Sequence, residues 1–233
     1  MNNALVTGCR RQQRCLPAIA ACALLVFGNA HSAGLRVAVN GNGKPATDAV
    51  VSLHSRASAA DVRPRRASID QRAAQFVPRV TVVPVGTPIR FPNSDNVRHQ
   101  VYSFSAAKRF ELPLYAGQPA AAVVFATPGV VELGCSIHDW MLAYVVVVDT
   151  PYYGVTDASG RSRIDAPAGT YTLRVWHPEL AGGKPHEETV ALPDGTLEKA
   201  VSLSLARSAQ PATLADDKVR ALQEKFRRLK DKR

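Results

Sequence analysis

One stretch of the sequence decides the fold: Gly134-Cys135-Ser136-Ile137-His138-Asp139-Trp140-Met141, followed directly by Leu142-Ala143-Tyr144-Val145-Val146-Val147-Val148. The second half is an apolar run of strand length, without the polar alternation of a half-exposed strand. Such a run predicts a β-strand that is buried on both faces. Residues 130–133 form another apolar segment just before the first half. The residues between the two segments are therefore predicted to be a loop that joins two strands.

The rest of the chain has the composition of an all-β protein. Sixteen prolines and fifteen glycines among 233 residues predict frequent chain reversals, and 46% hydrophobic residues can supply a core. Residues 55–75 are polar and rich in arginine, and we interpret them as a loop. Further short β segments are predicted at residues 35–40, 49–54, 80–85, 88–91, 99–104 and 120–126.

Two further regions follow the buried strand. Turn-forming residues recur from Pro151 onward, which predicts a small second β-sandwich over residues 150–206 after a first domain over residues 34–149. A module of this size is marginal alone, so we expect it to pack on the first domain. Residues 207–233 combine apolar residues at helical spacing with an excess of lysine and arginine. This pattern predicts a short basic amphipathic helix, either a loosely docked tail or a surface for a partner or membrane.

The N-terminus has the three-part pattern of a Sec-type signal peptide. Three arginines precede an apolar run at residues 16–27, and small residues follow, with cleavage expected after Ala30 or Ala33. The run is too short to span a bilayer core of about 30 Å as a helix. We therefore predict a signal peptide over residues 1–33, with an uncleaved anchor as the alternative. The protein is expected to be periplasmic or secreted and to have no transmembrane segment.

Cleavage would leave a single cysteine and a single methionine. Cys9, Cys15 and Cys22 lie in the predicted signal peptide, so Cys135 would be the only thiol, and Met141 the only methionine besides the initiator. A lone cysteine cannot form an internal disulfide. In an oxidising compartment this thiol is a liability unless it is buried or bonded.

Three potential metal ligands share the loop: Cys135, His138 and Met141, in the spacing Cys-x-x-His-x-x-Met. His99, which begins the predicted strand 99–104, is the candidate for a fourth ligand. A thiolate and two imidazoles with a weak thioether suit copper in both of its oxidation states. We therefore predict one copper ion held by His99, Cys135, His138 and Met141. Coordination would also occupy the otherwise free thiol.

Other interpretations of these residues stay open. A lone cysteine is often a small core side chain, Met141 could be ordinary packing, and His99 and His138 could be surface residues. Zinc is a further candidate, although structural zinc sites use cysteine and histidine rather than methionine.

The ligand loop, with His99 at the start of a His-x-Val segment, resembles the cupredoxins, and its short Cys–His–Met spacing is most similar to amicyanin. The segment Phe91-Pro92-Asn93-Ser94-Asp95 and the turn Pro128-Gly129 also resemble plastocyanin-like sequences labelled methylamine-utilisation proteins. The resemblance covers about residues 35–149. It implies a Greek-key β-sandwich, one type 1 copper and electron transfer.

Two positions depart from the family pattern. Gln100 stands where an asparagine often follows the first ligand histidine, which puts a hydrogen bond toward Ser136 in doubt. Asp139-Trp140 replaces the proline-containing pair of the amicyanin loop. This replacement is expected to put a charge and a large aromatic ring beside the exposed edge of His138.

The second module has a resemblance of its own. The segments Val155-Thr156-Asp157-Ala158-Ser159-Gly160 and Ala168-Gly169-Thr170-Tyr171-Thr172-Leu173 resemble the carboxypeptidase regulatory-like β-sandwich. That likeness implies a fold and says little of function. The complete prediction is all-β: a Greek-key cupredoxin β-sandwich, then a small second β-sandwich, then a short C-terminal helix.

The favoured function is a periplasmic type 1 (blue) copper protein. It would carry single electrons between donor and acceptor redox proteins, such as a dehydrogenase or a c-type cytochrome. One alternative is a periplasmic copper-handling protein, which a single methionine disfavours. Another is an envelope β-sandwich binding protein with a vestigial copper site, which four intact ligands disfavour. We find no catalytic constellation and expect no enzyme. Despite a net charge of +10, no aromatic platform motif indicates nucleic-acid binding.

Overall fold

The computed structural model describes residues 33–119 and 121–206, which form eighteen strands and one short 3-10 helix, Ser58–Asp61. The all-β prediction is confirmed for this part of the chain. Residues 1–32 of the predicted signal peptide and the predicted C-terminal helix lie outside the described residues. Among those described, no helix is long and apolar enough to cross a membrane.

The strands are β1 (Gly34–Gly41), β2 (Lys44–Pro45), β3 (Val50–His54), β4 (Ala67–Ser68), β5 (Asp70–Arg72), β6 (Gln75–Val77), β7 (Val80–Pro84), β8 (Thr87–Arg90), β9 (His99–Ser103), β10 (Phe110–Tyr115), β11 (Val123–Phe125), β12 (Gly129–Gly134), β13 (Leu142–Val148), β14 (Tyr153–Val155), β15 (Arg161–Asp165), β16 (Gly169–Trp176), β17 (His186–Leu192) and β18 (Thr196–Leu203).

Strands β4 to β13 form one β-sandwich, called here the inserted sandwich. Its larger sheet has the order β10-β9-β12-β13-β7, in which β13 runs parallel to β7 and antiparallel to β12. The smaller sheet, β11-β8-β4, contributes Ile89 and Phe125 to a core shared with Val101 and Leu133 of the larger sheet. The loop between β12 and β13, which carries the predicted ligands, is therefore joined to this core at both ends.

Strands β1 to β3 and β14 to β18 form the second sandwich, called here the terminal sandwich. β1 pairs parallel with β18 and antiparallel with β15, and the facing sheet has the order β14-β3-β16-β17. This division differs from the predicted boundary between residues 34–149 and 150–206, because residues 34–54 lie in the second module. The physical reason is core size. Leu35 and Leu53 pack with Leu173 in one cluster, so strands from both ends of the chain complete a module that would otherwise be marginal.

Strand β13 is buried on both faces, as the sequence predicts. Ala143, Val145 and Val147 point into the core of the inserted sandwich. The alternate residues, Tyr144, Val146 and Val148, belong to a different apolar cluster, which also contains Val50 of β3 and Trp176 of β16. The Tyr144 and Trp176 rings meet with centroids 5.4 Å apart. The second face is therefore covered by the terminal sandwich, and the two sandwiches share an apolar layer.

Residues 55–75, predicted to be a loop, instead contain η1 (Ser58–Asp61) and the short strands β4 and β5. Gln71 is fully buried, and its side-chain amide donates to the Tyr115 hydroxyl at 2.6 Å. A polar residue can be buried at this position because its amide finds protein acceptors. Hydropathy alone does not reveal such a strand.

His177 in the terminal sandwich is buried in its neutral form. Its Nδ1 accepts the N–H of Glu179 at 3.0 Å, which leaves Nε2 to donate to the Thr47 carbonyl at 2.9 Å. Burial lowers the pKa of His177 below its ordinary value, although the hydrogen bond to Thr47 works in the opposite direction. Protonation would remove the acceptor that Glu179 uses, so the fold favours the uncharged ring.

We predict that the free energy of unfolding falls as the pH drops below about 6.5, the ordinary pKa of histidine. Below that pH the unfolded chain takes up a proton that folded His177 resists, so protons favour unfolding. His54, whose pKa burial also lowers, contributes in the same direction. Urea unfolding at pH 7.5 and pH 5.5 measures the loss. His177→Gln should reduce it, whereas His186→Gln, at a more exposed histidine, should not. An unchanged loss in His177→Gln would contradict this assignment.

Candidate metal centre

The loop that carries Cys135, His138 and Met141 is held at both ends by one strand pair. β12 and β13 stay in register up to the pair Gly134 and Leu142, directly beside the loop. Within the loop, the N–H of Met141 donates to the carbonyl of His138 at 3.0 Å. The seven loop residues are therefore confined to a tight connection whose ends cannot separate without breaking the sheet.

His99 reaches the loop from the neighbouring strand. It is the first residue of β9, and β9 pairs with β12 through Tyr102 and Gly134. The His99 side chain is fully buried, and its Nδ1 lies 3.9 Å from Cys135 Sγ. Residues 36 positions apart in the sequence thus meet because two adjacent strands of one sheet bring them together.

Three of the four predicted ligands converge. One potential ligand atom from each of His99, Cys135 and His138 lies within 4.8 Å of the others, and the two imidazole centroids are 4.9 Å apart. Met141 is buried in the same core cluster as Cys135 and borders the same surface hollow of about 720 Å³. A ligand role for the Met141 thioether stays a prediction.

The donor atoms fit a metal ion. Ligand bonds of about 2.0–2.3 Å would place two ligand atoms roughly 3.3–3.8 Å apart, which is close to the observed separation of 3.9 Å between Cys135 Sγ and His99 Nδ1. His138 Nδ1 is also buried and has no hydrogen-bond partner. A buried nitrogen without a partner costs about 1–3 kcal/mol, and a metal ion would remove that cost.

Asp95 orients the first histidine. Its Oδ2 lies 2.7 Å from His99 Nε2, on the opposite side of the ring from Cys135. Burial opposes ionisation of Asp95, but the N–H groups of Ala74 and Ala73 and the His99 ring outweigh it and keep the pKa of the carboxyl below its ordinary value. His99 Nε2 therefore donates to a carboxylate, and Nδ1 keeps its lone pair for a metal.

Asp95 lies within the segment that resembles plastocyanin-like sequences, but its role is not evident from the sequence alone. The available signal was an acid four residues before a candidate ligand histidine. Asn93 in the same segment is buried and donates to the carbonyls of Val97 and Tyr115, at 2.9 and 2.8 Å. The Tyr115 hydroxyl in turn donates to the Phe91 carbonyl, and burial raises the pKa of Tyr115 to about 12. These hydrogen bonds hold the backbone of the segment that carries Asp95.

The two departures from the family pattern have structural consequences. The amide of Gln100 donates to the Glu111 carboxylate across β9 and β10, rather than toward Ser136. The Trp140 ring lies beside the His138 ring, with centroids 5.0 Å apart, and is 51% exposed. The expectation of a large aromatic ring beside His138 is confirmed.

A serine–histidine–aspartate line lies far from this site, which the sequence analysis did not anticipate. Ser52 Oγ is 2.8 Å from His54 Nε2, and His54 Nδ1 is 2.9 Å from Asp149. Ser52 is only 4% exposed, and the three residues border a hollow of about 230 Å³. The line joins β3 to the end of β13 and so links the two sandwiches.

No family model and no curated protein matches the chain. Among solved structures, a Cu-containing nitrite reductase from Thermus scotoductus SA-01 is similar to 37% of this chain at 24% identity and a TM-score of 0.34, and the match spans only 23% of the reductase. A purple cupredoxin from Nitrosopumilus maritimus matches 35% of this chain and 99% of its own length, at 28% identity and a TM-score of 0.32. A reduced Cu(I) form of an amicyanin mutant matches 42% of this chain and 98% of its own, at 21% identity and a TM-score of 0.33.

In the protein without residues 1–33, whose only thiol is Cys135, we predict that Cys135 reacts with a chromogenic thiol reagent roughly tenfold or more slowly in the native state than in urea, because the native side chain is 3% exposed. One equivalent of Co(II) should slow the native reaction further by occupying the thiolate. The matched control moves the thiol by one residue, combining Cys135→Ser with Ser136→Cys at an exposed position. The control should react fast and without protection by Co(II). Equal native rates for the two proteins would contradict the site described here.

Proposed function

We propose that this chain binds one copper ion through His99, Cys135, His138 and Met141 and carries one electron at a time between two redox proteins. The observation that carries the proposal is the convergence of a buried thiol with two imidazoles, one of which has a buried nitrogen without a partner. Because the N-terminal residues have the pattern of a signal peptide, the proposed location is the periplasm or the cell exterior.

The donor set favours copper over other metals. A thiolate stabilises Cu(I), imidazoles suit both oxidation states, and a thioether is the usual weak axial partner. Met141 is the one methionine among residues 33–119 and 121–206 and is buried in the same cluster as Cys135. A bound copper ion would supply a one-electron couple between Cu(I) and Cu(II).

The contribution of the chain itself is rigidity and the exclusion of water. Cys135 and His99 are buried among the core residues of the inserted sandwich, and Asp95 holds the His99 ring from behind. These contacts lie within the chain and do not involve a metal, so they do not depend on its oxidation state. The ligands are therefore expected to move little when an electron is gained or lost, and the dry, apolar surroundings help to set the potential.

Electrons would enter and leave near His138, the most exposed of the three converging residues. Ile137, Trp140 and Leu142 beside it are exposed apolar side chains. Small apolar patches of this kind suit brief encounters with a partner. The net charge is +10 for the full chain and stays positive, at +7, without the three arginines of residues 1–33, which favours an acidic partner. We propose a dehydrogenase or a c-type cytochrome as donor or acceptor, with no enzymatic step on this chain.

The test is a copper titration of the protein without residues 1–33, followed by visible absorption and EPR. We expect saturation at one copper per chain, with an intense thiolate-to-copper band and narrow copper hyperfine splitting. Cys135→Ser should abolish the band, whereas His186→Gln, in the terminal sandwich, should leave it intact and so exclude His186 as a ligand. Copper that binds without the band would refute electron carriage and favour copper handling.

A second variant in the same experiment tests whether Met141 would be a ligand. Met141→Leu keeps an apolar side chain of similar size but removes the thioether sulfur. The band should survive, because Cys135 still binds, while the reduction potential rises, since an axial donor stabilises Cu(II) more than Cu(I). An unchanged potential would remove Met141 from the proposed ligand set.

A further inference from the structure

The support behind His99 does not end at Asp95. The two-residue turn between β5 and β6, formed by Ala73 and Ala74 and called here the alanine turn, points both of its backbone N–H groups at the Asp95 carboxylate. Ala73 donates to Oδ1 at 2.6 Å and Ala74 to Oδ2 at 2.9 Å. Oδ2 is the same oxygen that meets His99 Nε2.

The alanine turn has an unusual backbone that needs an external partner. Ala73 and Ala74 have φ angles of 51° and 49°, a left-handed conformation that residues with a Cβ rarely adopt and that hairpin turns normally assign to Asn-Gly. Such a conformation persists where the surrounding structure holds it. The Asp95 carboxylate is that partner, because it accepts hydrogen bonds from both turn residues.

The same turn also acts on the second histidine, His138, through Trp140. The Ala74 carbonyl accepts the indole N–H of Trp140 at 3.1 Å. The Trp140 ring lies against the His138 ring, with an interplanar angle of 57°. Trp140 is half-exposed, so without this hydrogen bond its ring would have more rotational freedom. The turn thereby limits the position of the ring that borders His138.

We propose that the alanine turn is a single positioning device for both metal-binding imidazoles, acting on His99 through Asp95 and on His138 through Trp140. The turn contributes no ligand, and its hydrogen bonds at this site go to Asp95 and Trp140 rather than to the imidazoles. Asp95 and Trp140 are positioning residues that share one backbone support, so a change at one is transmitted to the other. The identity of the metal in this inference rests on the proposed function, whereas the positioning of the two rings does not.

The metal-free protein gives the first test, by NMR of the imidazole nitrogens. His99 should be protonated at Nε2 and not at Nδ1, and the amide protons of Ala73 and Ala74 should exchange slowly although both residues lie near the surface. Trp140→Phe keeps an aromatic ring but removes the N–H, and it should speed exchange at Ala74 and shift the His138 ring signals. Fast exchange at both amides in the unmodified protein would overturn the proposal whether or not copper binds.

The copper-loaded protein gives the second test, as a double-mutant cycle. Asp95→Asn should weaken Cu(II) binding by roughly 10–100-fold, in line with other partners of metal-bound histidines. Asp194→Asn removes the same charge from an exposed turn of the terminal sandwich and should change the dissociation constant by less than about threefold. If both positioning residues act through one turn, the combined Asp95→Asn and Trp140→Phe variant should lose clearly less than the product of the single losses.

The outcomes separate the inference from the proposed function. Multiplicative losses in the double variant, or equal losses in Asp95→Asn and Asp194→Asn, would overturn the positioning device while leaving a copper site in place. Unmodified protein without a thiolate-to-copper band would refute the proposed function. In that case slow amide exchange and the Nε2 protonation of His99 would still support the shared positioning of the two rings. If Asp95→Asn does not fold, the rate of amide-proton exchange at Ala74 in Trp140→Phe tests the proposal instead.

Discussion

The contact between a buried thiol and a buried imidazole, Cys135 Sγ and His99 Nδ1 at 3.9 Å, is the constraint on which the rest of the structure depends. Both groups are buried, and neither has strong hydrogen-bonding alternatives on that side, so the pair is stable only if the sheet forces it together or a metal ion joins it. The sheet meets the first condition, and a bound copper ion, as proposed above, would meet the second. The sheet supplies the force through adjacent strands β9 and β12, and His138 adds a third donor with a free nitrogen.

The terminal sandwich supports the contact between Cys135 and His99 indirectly, by packing against β13. One face of β13 packs in the core that contains Cys135, while Tyr144 and Val146 on the other face pack against Trp176 of the terminal sandwich. A strand held on both faces cannot tilt without opening two apolar clusters. The loop that ends at β13 is therefore supported by a module that contributes no ligand, which gives the second sandwich a mechanical role in the site.

The sequence predicted the parts of this account that depend on rare residue types and on hydropathy. Cys135 and His138 are predictable as ligands because the only cysteine outside residues 1–33 lies three residues before a histidine and six before a methionine. The burial of β13 on both faces follows from its unbroken apolar run. The pairing of β1 with β18 was missed, because a parallel contact between chain ends leaves no local pattern. The role of Asp95 and the strand that contains Gln71 were missed for another reason. Gln71 is buried and Asp95 is partly buried, and both are held by hydrogen bonds, whereas hydropathy predicts such polar residues at the surface.

Anomalous diffraction at the copper edge, from crystals of the copper-loaded protein, tests the central claim most directly. The account predicts one anomalous peak per chain, within bonding distance of Cys135 Sγ, His99 Nδ1 and His138 Nδ1, with Asp95 still bound to His99 Nε2 and the strands around the loop unmoved. A peak at another histidine, a peak that engages His99 through Nε2, or no peak between these side chains would contradict it.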